Sequence, residues 1–248
     1  MRFKWLSRYW LGLLLLVSLA TLVLWLAVHG KLTLYIHPRY ILFTTVMSII
    51  AVVAVVSDFA LVSNRPRVFQ PARFYRIAGG LLCLSLILGL LKFQPNGLTS
   101  SAANSRGINT AAVNVRTNAK VDDLATQNVN YEHFSVKEWA SLLSQTSDPK
   151  LFVGKRALVS GFVSPTPDNN PNVFYVSRFV ITCCAVDARP IGVPVYSPGW
   201  QKTYKADEWV QARGAFIANP ETIATPIVLE PFELTEIVKP EQPYVYYR

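Results

Sequence analysis

The sequence predicts a helical membrane part with three spans, followed by a small all-β domain of the OB-like barrel type with one flanking helix. Long apolar runs are confined to residues 1–93, whereas β-type patterns are confined to the C-terminal half. Of the 248 residues, 51% are hydrophobic and only 16% are charged, too apolar for an ordinary soluble protein. We therefore expect a transmembrane region over residues 1–93, a flexible linker over 94–130 and an exported β domain over 131–248.

Three apolar segments predict the membrane spans, at about residues 10–28, 40–62 and 77–91. The first has nineteen residues without a charge, which is long enough to cross a hydrocarbon layer of ~30 Å as a helix. A secretory signal peptide is the competing interpretation of this segment. The basic, aromatic segment Lys31–Arg39 follows without a small-x-small cleavage site, which favours a retained helix.

The distribution of Lys and Arg predicts the orientation of these spans. Three such residues precede the first span and four lie in the 63–76 loop, whereas the 29–39 loop between them has two. The positive-inside rule places the N-terminus and the 63–76 loop in the cytoplasm. With three spans, everything after Lys92 lies outside, which predicts a multi-pass protein of the cell (inner) membrane with an extracytoplasmic C-terminal domain.

The net charge of +9 does not indicate nucleic-acid binding, because the charge is concentrated beside the apolar segments. Residues 1–93 contain ten Lys or Arg and one acidic residue, whereas residues 130–248 contain eleven basic and twelve acidic residues. The globular part is therefore close to neutral, without the basic surface that phosphate binding requires. We expect the lipid bilayer to be a partner and nucleic acid not to be one.

The linker and the helix that follows it differ in composition. Residues 94–130 are rich in Asn, Ser, Thr, Ala and Gly, a composition typical of a flexible tether. Ser135 and Glu138 have the spacing of a capping box at a helix start. Trp139 and the apolar residues around it recur at helical spacing, so we predict a short amphipathic helix that ends before Pro149.

The rest of the chain has β patterns separated by turn residues. The predicted strands cover residues 156–163, 173–184, 192–196, 208–217 and 227–237. Glycines inside these strands mark bends, as they do in small closed barrels. A flattened β-sandwich is the alternative architecture. An OB-like barrel hosts many ligands, so the fold alone does not identify a function.

Two adjacent cysteines, Cys183 and Cys184, are the most specific chemical feature of the chain. Neighbouring side chains of a strand point to opposite faces, but the change in composition after Thr182 predicts that the strand ends or bulges at the cysteines. One or both sulfurs would then converge with Asp187 and offer ligands to zinc or another thiophilic metal. Three interpretations stay open: buried inert thiols, a metal or metalloid site, and a redox role. Cys83, in the third apolar segment, is interpreted as a packing residue.

Other candidates lie outside this cluster. Arg178 precedes the cysteines and is expected to form an ion pair with Asp187. His37 and Arg39 flank Pro38 and are candidates for contact with a partner or ion, although Pro38 is also typical of a helix start. The sequence has no nucleophile elbow, phosphate-binding glycine loop or paired-carboxylate signature, so we do not expect an enzyme.

The order of short motifs along the chain resembles the YcgQ-like family of bacterial membrane proteins, which are subunits of two-component permeases. The residues that carry the resemblance include Tyr35-Ile36-His37-Pro38-Arg39, Arg106-Gly107, Phe134 to Trp139, and Cys183-Cys184 through Asp187-Ala188. The resemblance implies an integral membrane protein that acts beside a multi-spanning permease subunit, with the exported domain as the accessory module. We therefore expect that domain to capture or gate a thiophilic ion or small solute. A membrane-tethered thiol redox protein and a structural envelope protein with inert cysteines are the alternatives.

Overall fold

The computed structural model describes residues 2–63, 97–110, 131–221 and 225–246. The chain divides into two compact units, Met1–Asn96 and Gly97–Arg248. The predicted third span and Cys83 lie outside the described residues.

The N-terminal unit contains two long helices, α1 (Arg2–Val28) and α2 (Ile41–Ser63). Among the described residues, one helical stretch, Pro38–Ser57, is long and apolar enough to cross a membrane. A shorter apolar stretch, Leu16–Val28, lies in α1. One such helix fits a membrane span or a signal sequence, so the three-span arrangement stays a prediction.

The C-terminal unit is built on a six-stranded mixed sheet. The strands are β1 (Arg156–Pro165), β2 (Val173–Ile181), β3 (Arg189–Tyr196), β4 (Trp209–Ala218), β5 (Ile227–Glu236) and β6 (Val245–Tyr246). Their order is β1-β4-β5-β3-β2-β6, and a further pairing joins β1 to β2, so the first five strands form a ring. The β3–β5 and β2–β6 pairs are parallel and the others are antiparallel. The five predicted strands are present, and β6 is an addition.

Strand β1 changes partner in the middle, and a glycine makes this change possible. Arg156–Phe162 pair with β4, whereas Phe162–Pro165 pair with β2. A Cβ on Gly161 would collide with the carbonyl oxygen of Ser177 on β2. Only glycine lets the two backbones approach this closely.

The predicted amphipathic helix is α4 (Val136–Gln145), and it packs against the sheet. Its capping box is present, because the Glu138 carboxylate accepts the backbone N–H of Ser135 at 3.0 Å. Trp139 is fully buried, and its ring centroid lies 4.7 Å from that of Phe216 in β4. The helix therefore contributes to the same apolar core as the strands.

Residues 97–110, which lie within the predicted linker of residues 94–130, belong to the C-terminal unit and contact its sheet. They contain the short helix α3 (Ser100–Arg106), and Ala103 in this helix is fully buried. We call residues 97–110 the docked segment. Its small side chains allow close approach to β1 and β3, whereas composition alone predicts a tether. Residues 111–130 lie outside the described residues.

Candidate functional site

The two cysteines lie in a surface loop, residues 182–188, between β2 and β3. We call this segment the cysteine loop. Strand β2 ends at Ile181, as the change in composition predicts, so the strand alternation no longer separates the two side chains. The backbone N–H of Asp187 donates to the carbonyl of Cys184 at 3.1 Å, which closes a tight turn. This turn brings the two thiols and the carboxylate together.

The sulfur atoms of Cys183 and Cys184 lie 3.5 Å apart, and both thiols are free. Cys183 is exposed and Cys184 is half-buried. The interpretation of one or both cysteines as small buried hydrophobic residues does not fit Cys183, whose thiol is exposed. The metal or metalloid and redox interpretations both require thiols that are accessible from solvent, and this loop provides them.

The Asp187 carboxylate organises the loop by accepting three backbone N–H groups. Oδ2 accepts the N–H of Cys183 at 2.8 Å, and Oδ1 accepts those of Cys184 at 3.3 Å and Thr182 at 3.4 Å. Desolvation alone would raise the pKa of Asp187, but the N–H and thiol of Cys183 and the other N–H groups lower it overall. The carboxylate is therefore ionised and fixed beside the thiols, with all three ligand atoms within 4.8 Å of one another.

The two thiols differ in acidity because they face different neighbours. A hydrogen bond to Asp187 and another to Cys184 raise the pKa of Cys183 to about 11. The backbone N–H of Val186 and the thiol of Cys183 lower the pKa of Cys184. Since the thiolate is the nucleophile and the metal-binding form, we expect Cys184 to hold the larger thiolate fraction of the two at neutral pH.

Side chains of the docked segment form hydrogen bonds with the backbone of the cysteine loop and of β3. Nη1 of Arg106 donates to the carbonyls of Ala185 at 3.1 Å and Ala188 at 2.7 Å. Asn109 forms two hydrogen bonds with the backbone of Gly192 in β3, each of 2.8 Å. The two hydrogen bonds from the Arg106 guanidinium to loop carbonyls fix the turn that presents the thiols.

Sequence reasoning did not assign Arg106 a role at the site, although Arg106-Gly107 is part of the motif order that carries the resemblance. One signal was available: between Lys92 and Arg116, Arg106 is the only charged residue. A single arginine in a long uncharged polar stretch indicates a specific contact. The position of that contact depends on residues far apart in sequence, which spacing does not reveal.

A protein-family match includes the part of the chain that contains the cysteine loop. The DUF1980 C-terminal domain family matches residues 110–247, more than half of the chain, including all six strands and the cysteine loop. The chain belongs to the DUF1980 C-terminal domain family. Arg106 precedes the matched region of this DUF1980 protein. Comparisons with curated proteins and with solved structures find no match.

Arg178 of the DUF1980 protein has other partners than the one predicted. Its Nε donates to the carbonyl of Ser160 at 2.8 Å and its Nη2 to the hydroxyl of Ser160 at 2.9 Å. The guanidinium lies over the Trp209 ring, 5.2 Å from its centroid, and desolvation lowers its pKa. Within the described residues Asp187 has no ion pair, so the expected Arg178–Asp187 pair is wrong. Arg178 lies inside β2, and its side chain reaches across to β1 instead of along the strand to the loop.

The histidines have local roles where they are described. In the N-terminal unit, Nδ1 of His37 accepts the backbone N–H of Arg39 at 3.2 Å, and Pro38 opens the turn Pro38–Tyr40 before α2. This is the helix-start role that Pro38 suggests. In the C-terminal unit, His133 lies exposed in the turn Tyr131–His133. The ligand cluster found among the described residues contains no histidine.

Proposed function

We propose that this DUF1980 protein is a non-enzymatic accessory subunit of a membrane permease complex, and that its C-terminal domain captures or gates a thiophilic ion. The observation that carries the proposal is the pair of free thiols, 3.5 Å apart on a surface loop, with a fixed carboxylate beside them. Sulfur ligands select zinc and other thiophilic metals over magnesium or calcium. Cys183, Cys184 and Asp187 would provide the ligands.

The resemblance to the YcgQ-like permease subunits supports the choice of partner, and membership of the DUF1980 family is compatible with it. In this proposal residues 10–28, 40–62 and 77–91 cross the bilayer and dock on a multi-spanning permease subunit. His37 and Arg39 would lie at the outer membrane face, close to that partner. The C-terminal domain would be an OB-like barrel outside the cytoplasm, where thiols persist only if they are oxidised, metal-bound or buried.

Elemental analysis of the full chain, purified in mild detergent without chelators, tests ion capture. We expect about one equivalent of a thiophilic metal or metalloid, and we expect it to be lost in Cys183→Ser with Cys184→Ser. Cys83→Ser is the matched control, because it removes the third cysteine of the chain and leaves the loop intact. A metal-free protein that takes up no thiophilic ion after reduction contradicts the proposal.

Co-purification tests the partner. A tagged full chain extracted in mild detergent is expected to bring a multi-spanning membrane protein with it, in a constant ratio. The double cysteine variant should retain this partner, because the loop binds the ion and the apolar segments bind the permease. A chain that elutes alone under several mild detergents contradicts the accessory-subunit proposal.

The difference in acidity between the two thiols favours a membrane-tethered thiol redox protein as the second candidate. Cys184, whose pKa is lowered, would attack a disulfide, and Cys183 would resolve the mixed disulfide. Cys183→Ser should then trap a substrate protein as a mixed disulfide that reductant releases. Cys184→Ser should trap none, which separates this function from ion capture.

A further inference from the structure

The distance between the two sulfur atoms indicates which coordination geometry the loop accommodates without side-chain rotation. Two bonds of about 2.3 Å, the length of a zinc–sulfur bond, that span 3.5 Å meet at an angle of about 100°. A linear two-coordinate ion would hold the sulfurs about 4.6 Å apart with bonds of the same length. The loop therefore suits a pyramidal or tetrahedral centre and does not suit a linear one.

The number of available ligands distinguishes a pyramidal centre from a tetrahedral one. A structural tetrahedral zinc ion takes four ligands, whereas the described cluster contains two sulfurs and one carboxylate. The carboxylate of Asp187 has about four lone-pair positions, and three backbone N–H groups already occupy its two oxygens. The described cluster therefore offers two sulfurs and at most one further oxygen position, fewer than the four ligands of a structural zinc site.

Trivalent arsenic and antimony hydroxides match two sulfur donors. They are soft, three-coordinate and pyramidal, and they keep one hydroxide of their own after two others are replaced. In the exchange, M(OH)₃ and two Cys–SH give (Cys–S)₂M–OH and two H₂O. Two M–S bonds form, two M–O bonds break, and each thiol proton leaves with a hydroxide as water. No oxidant or reductant is needed.

We propose that the cysteine loop binds trivalent metalloid hydroxides of the arsenite and antimonite class as a two-sulfur chelate. This inference rests on the proposed function and names the substrate class of the same site. In this narrower inference the two sulfurs alone bind the metalloid, and Asp187 holds the loop in shape through the backbone as a positioning residue, in place of the ligand role that the proposed function gives it. The exposure of Cys183 leaves the chelate open to solvent, as capture and release by a transport subunit require.

Native mass spectrometry of the full Cys83→Ser chain in mild detergent tests the inference. The reduced protein is offered sodium arsenite or zinc sulfate, alone and in competition. We expect one arsenic per chain with the loss of two waters, and we expect a tenfold excess of zinc not to displace it. Cys183→Ser and Cys184→Ser should each lower arsenite affinity at least a hundredfold, because each leaves a single sulfur.

Asp187→Asn distinguishes a positioning residue from a ligand. We expect this variant to bind one arsenic with an affinity lowered less than tenfold, since the amide carbonyl still accepts a backbone N–H. If zinc binds with one equivalent, displaces arsenite and depends on Asp187, the metalloid inference is overturned while ion capture stands. If the reduced chain binds neither ion, both the inference and the proposed function fail.

Discussion

The unequal environments of Cys183 and Cys184 should appear in their reactivity. A pKa raised from 9.0 to about 11 leaves Cys183 with about a hundredfold less thiolate at neutral pH, whereas the pKa of Cys184 is lowered. In a Cys83→Ser chain we expect iodoacetamide to modify Cys184 first at pH 7, with Cys183 following only near its own pKa. Peptide mass spectrometry across a pH series measures this order. Equal rates at both positions would contradict the described hydrogen bonds.

The hydrogen bond to Asp187 makes the largest contribution to the raised pKa of Cys183, so the charge of Asp187 should control that thiol. In Asp187→Asn the negative charge is absent, and we expect the pKa of Cys183 to fall towards 9 with a several-fold gain in alkylation rate at pH 8. Glu230→Gln on β5 is a charge-matched control outside the cysteine loop. A pKa that stays near 11 in Asp187→Asn would show that the carboxylate does not accept the thiol.

The same carboxylate also makes the loop sensitive to acid. Its pKa is lowered in the folded protein, so its contribution to stability is complete above the unfolded value of about 3.8 and is lost as the pH falls through the folded value.

The sequence identified Cys183, Cys184 and Asp187 because residue type and spacing along one loop are local information. The expected partner of Arg178 was wrong because its direction depends on the pairing of β2 with β1.

At the scale of elements, the docked segment is the feature that composition predicts least well. A capping box and the alternation of a strand depend on residues that are close together in the sequence, so α4 and five strands can be predicted from it. The long-range hydrogen bonds of residues 97–110 join them to residues between 60 and 146 positions away along the chain, and apart from the lone charge of Arg106 a polar composition gives no sign of them. Strand β6 has two residues and was also too short to predict.

Replacement of Arg106 tests whether the docked segment supports the site. Arg106→Ala removes the two hydrogen bonds to the loop carbonyls, and we expect the free energy of unfolding to fall by about 1–2 kcal/mol. The affinity for the captured ion should fall as well, because the turn loses its support. Arg213→Ala is the matched control, since its pair with Glu233 is exposed and 4.0 Å long, and it should cost less than about 1 kcal/mol. Thermal denaturation and ion titration measure both effects, and equal behaviour of the two variants would contradict this role.

A substitution at Gly161 tests the described ring of strands β1 to β5. Gly161→Ala places a methyl group against the carbonyl of Ser177 at the point where β1 changes partner, and backbone cannot move aside cheaply. We expect a loss of about 1–3 kcal/mol or more in denaturant unfolding. Gly192→Ala is the graded comparison, because its methyl group meets side chains, the hydroxyl of Ser177 and the ring and Cβ of Tyr175, instead of backbone. A larger loss at Gly192 than at Gly161 would contradict the described strand pairing.

At the scale of the whole molecule, the chain divides into two compact units, and residues 97–110 of the predicted linker belong to the second. Apolar runs and flanking arginines are confined to the first part of the chain, and the boundary between the compact units lies between Asn96 and Gly97. The number of spans does not follow in the same way, because the residues of the third apolar segment lie outside the described part. The number of spans decides on which side of the membrane the cysteine loop lies.

Reporter fusions test this topology. With three spans and a cytoplasmic N-terminus, a fluorescent protein that matures only in the cytoplasm should stay dark when fused after Arg248, and a periplasmic alkaline phosphatase should be active there. The same reporters fused after Arg67 should behave in the opposite way, because the four arginines of the 63–76 loop predict a cytoplasmic location for it. Fluorescence at both positions would mean that the third segment does not span. The cysteine loop would then lie in a reducing compartment, where free thiols need no metal or disulfide to persist, and the case for ion capture would have to rest on the 3.5 Å sulfur pair alone.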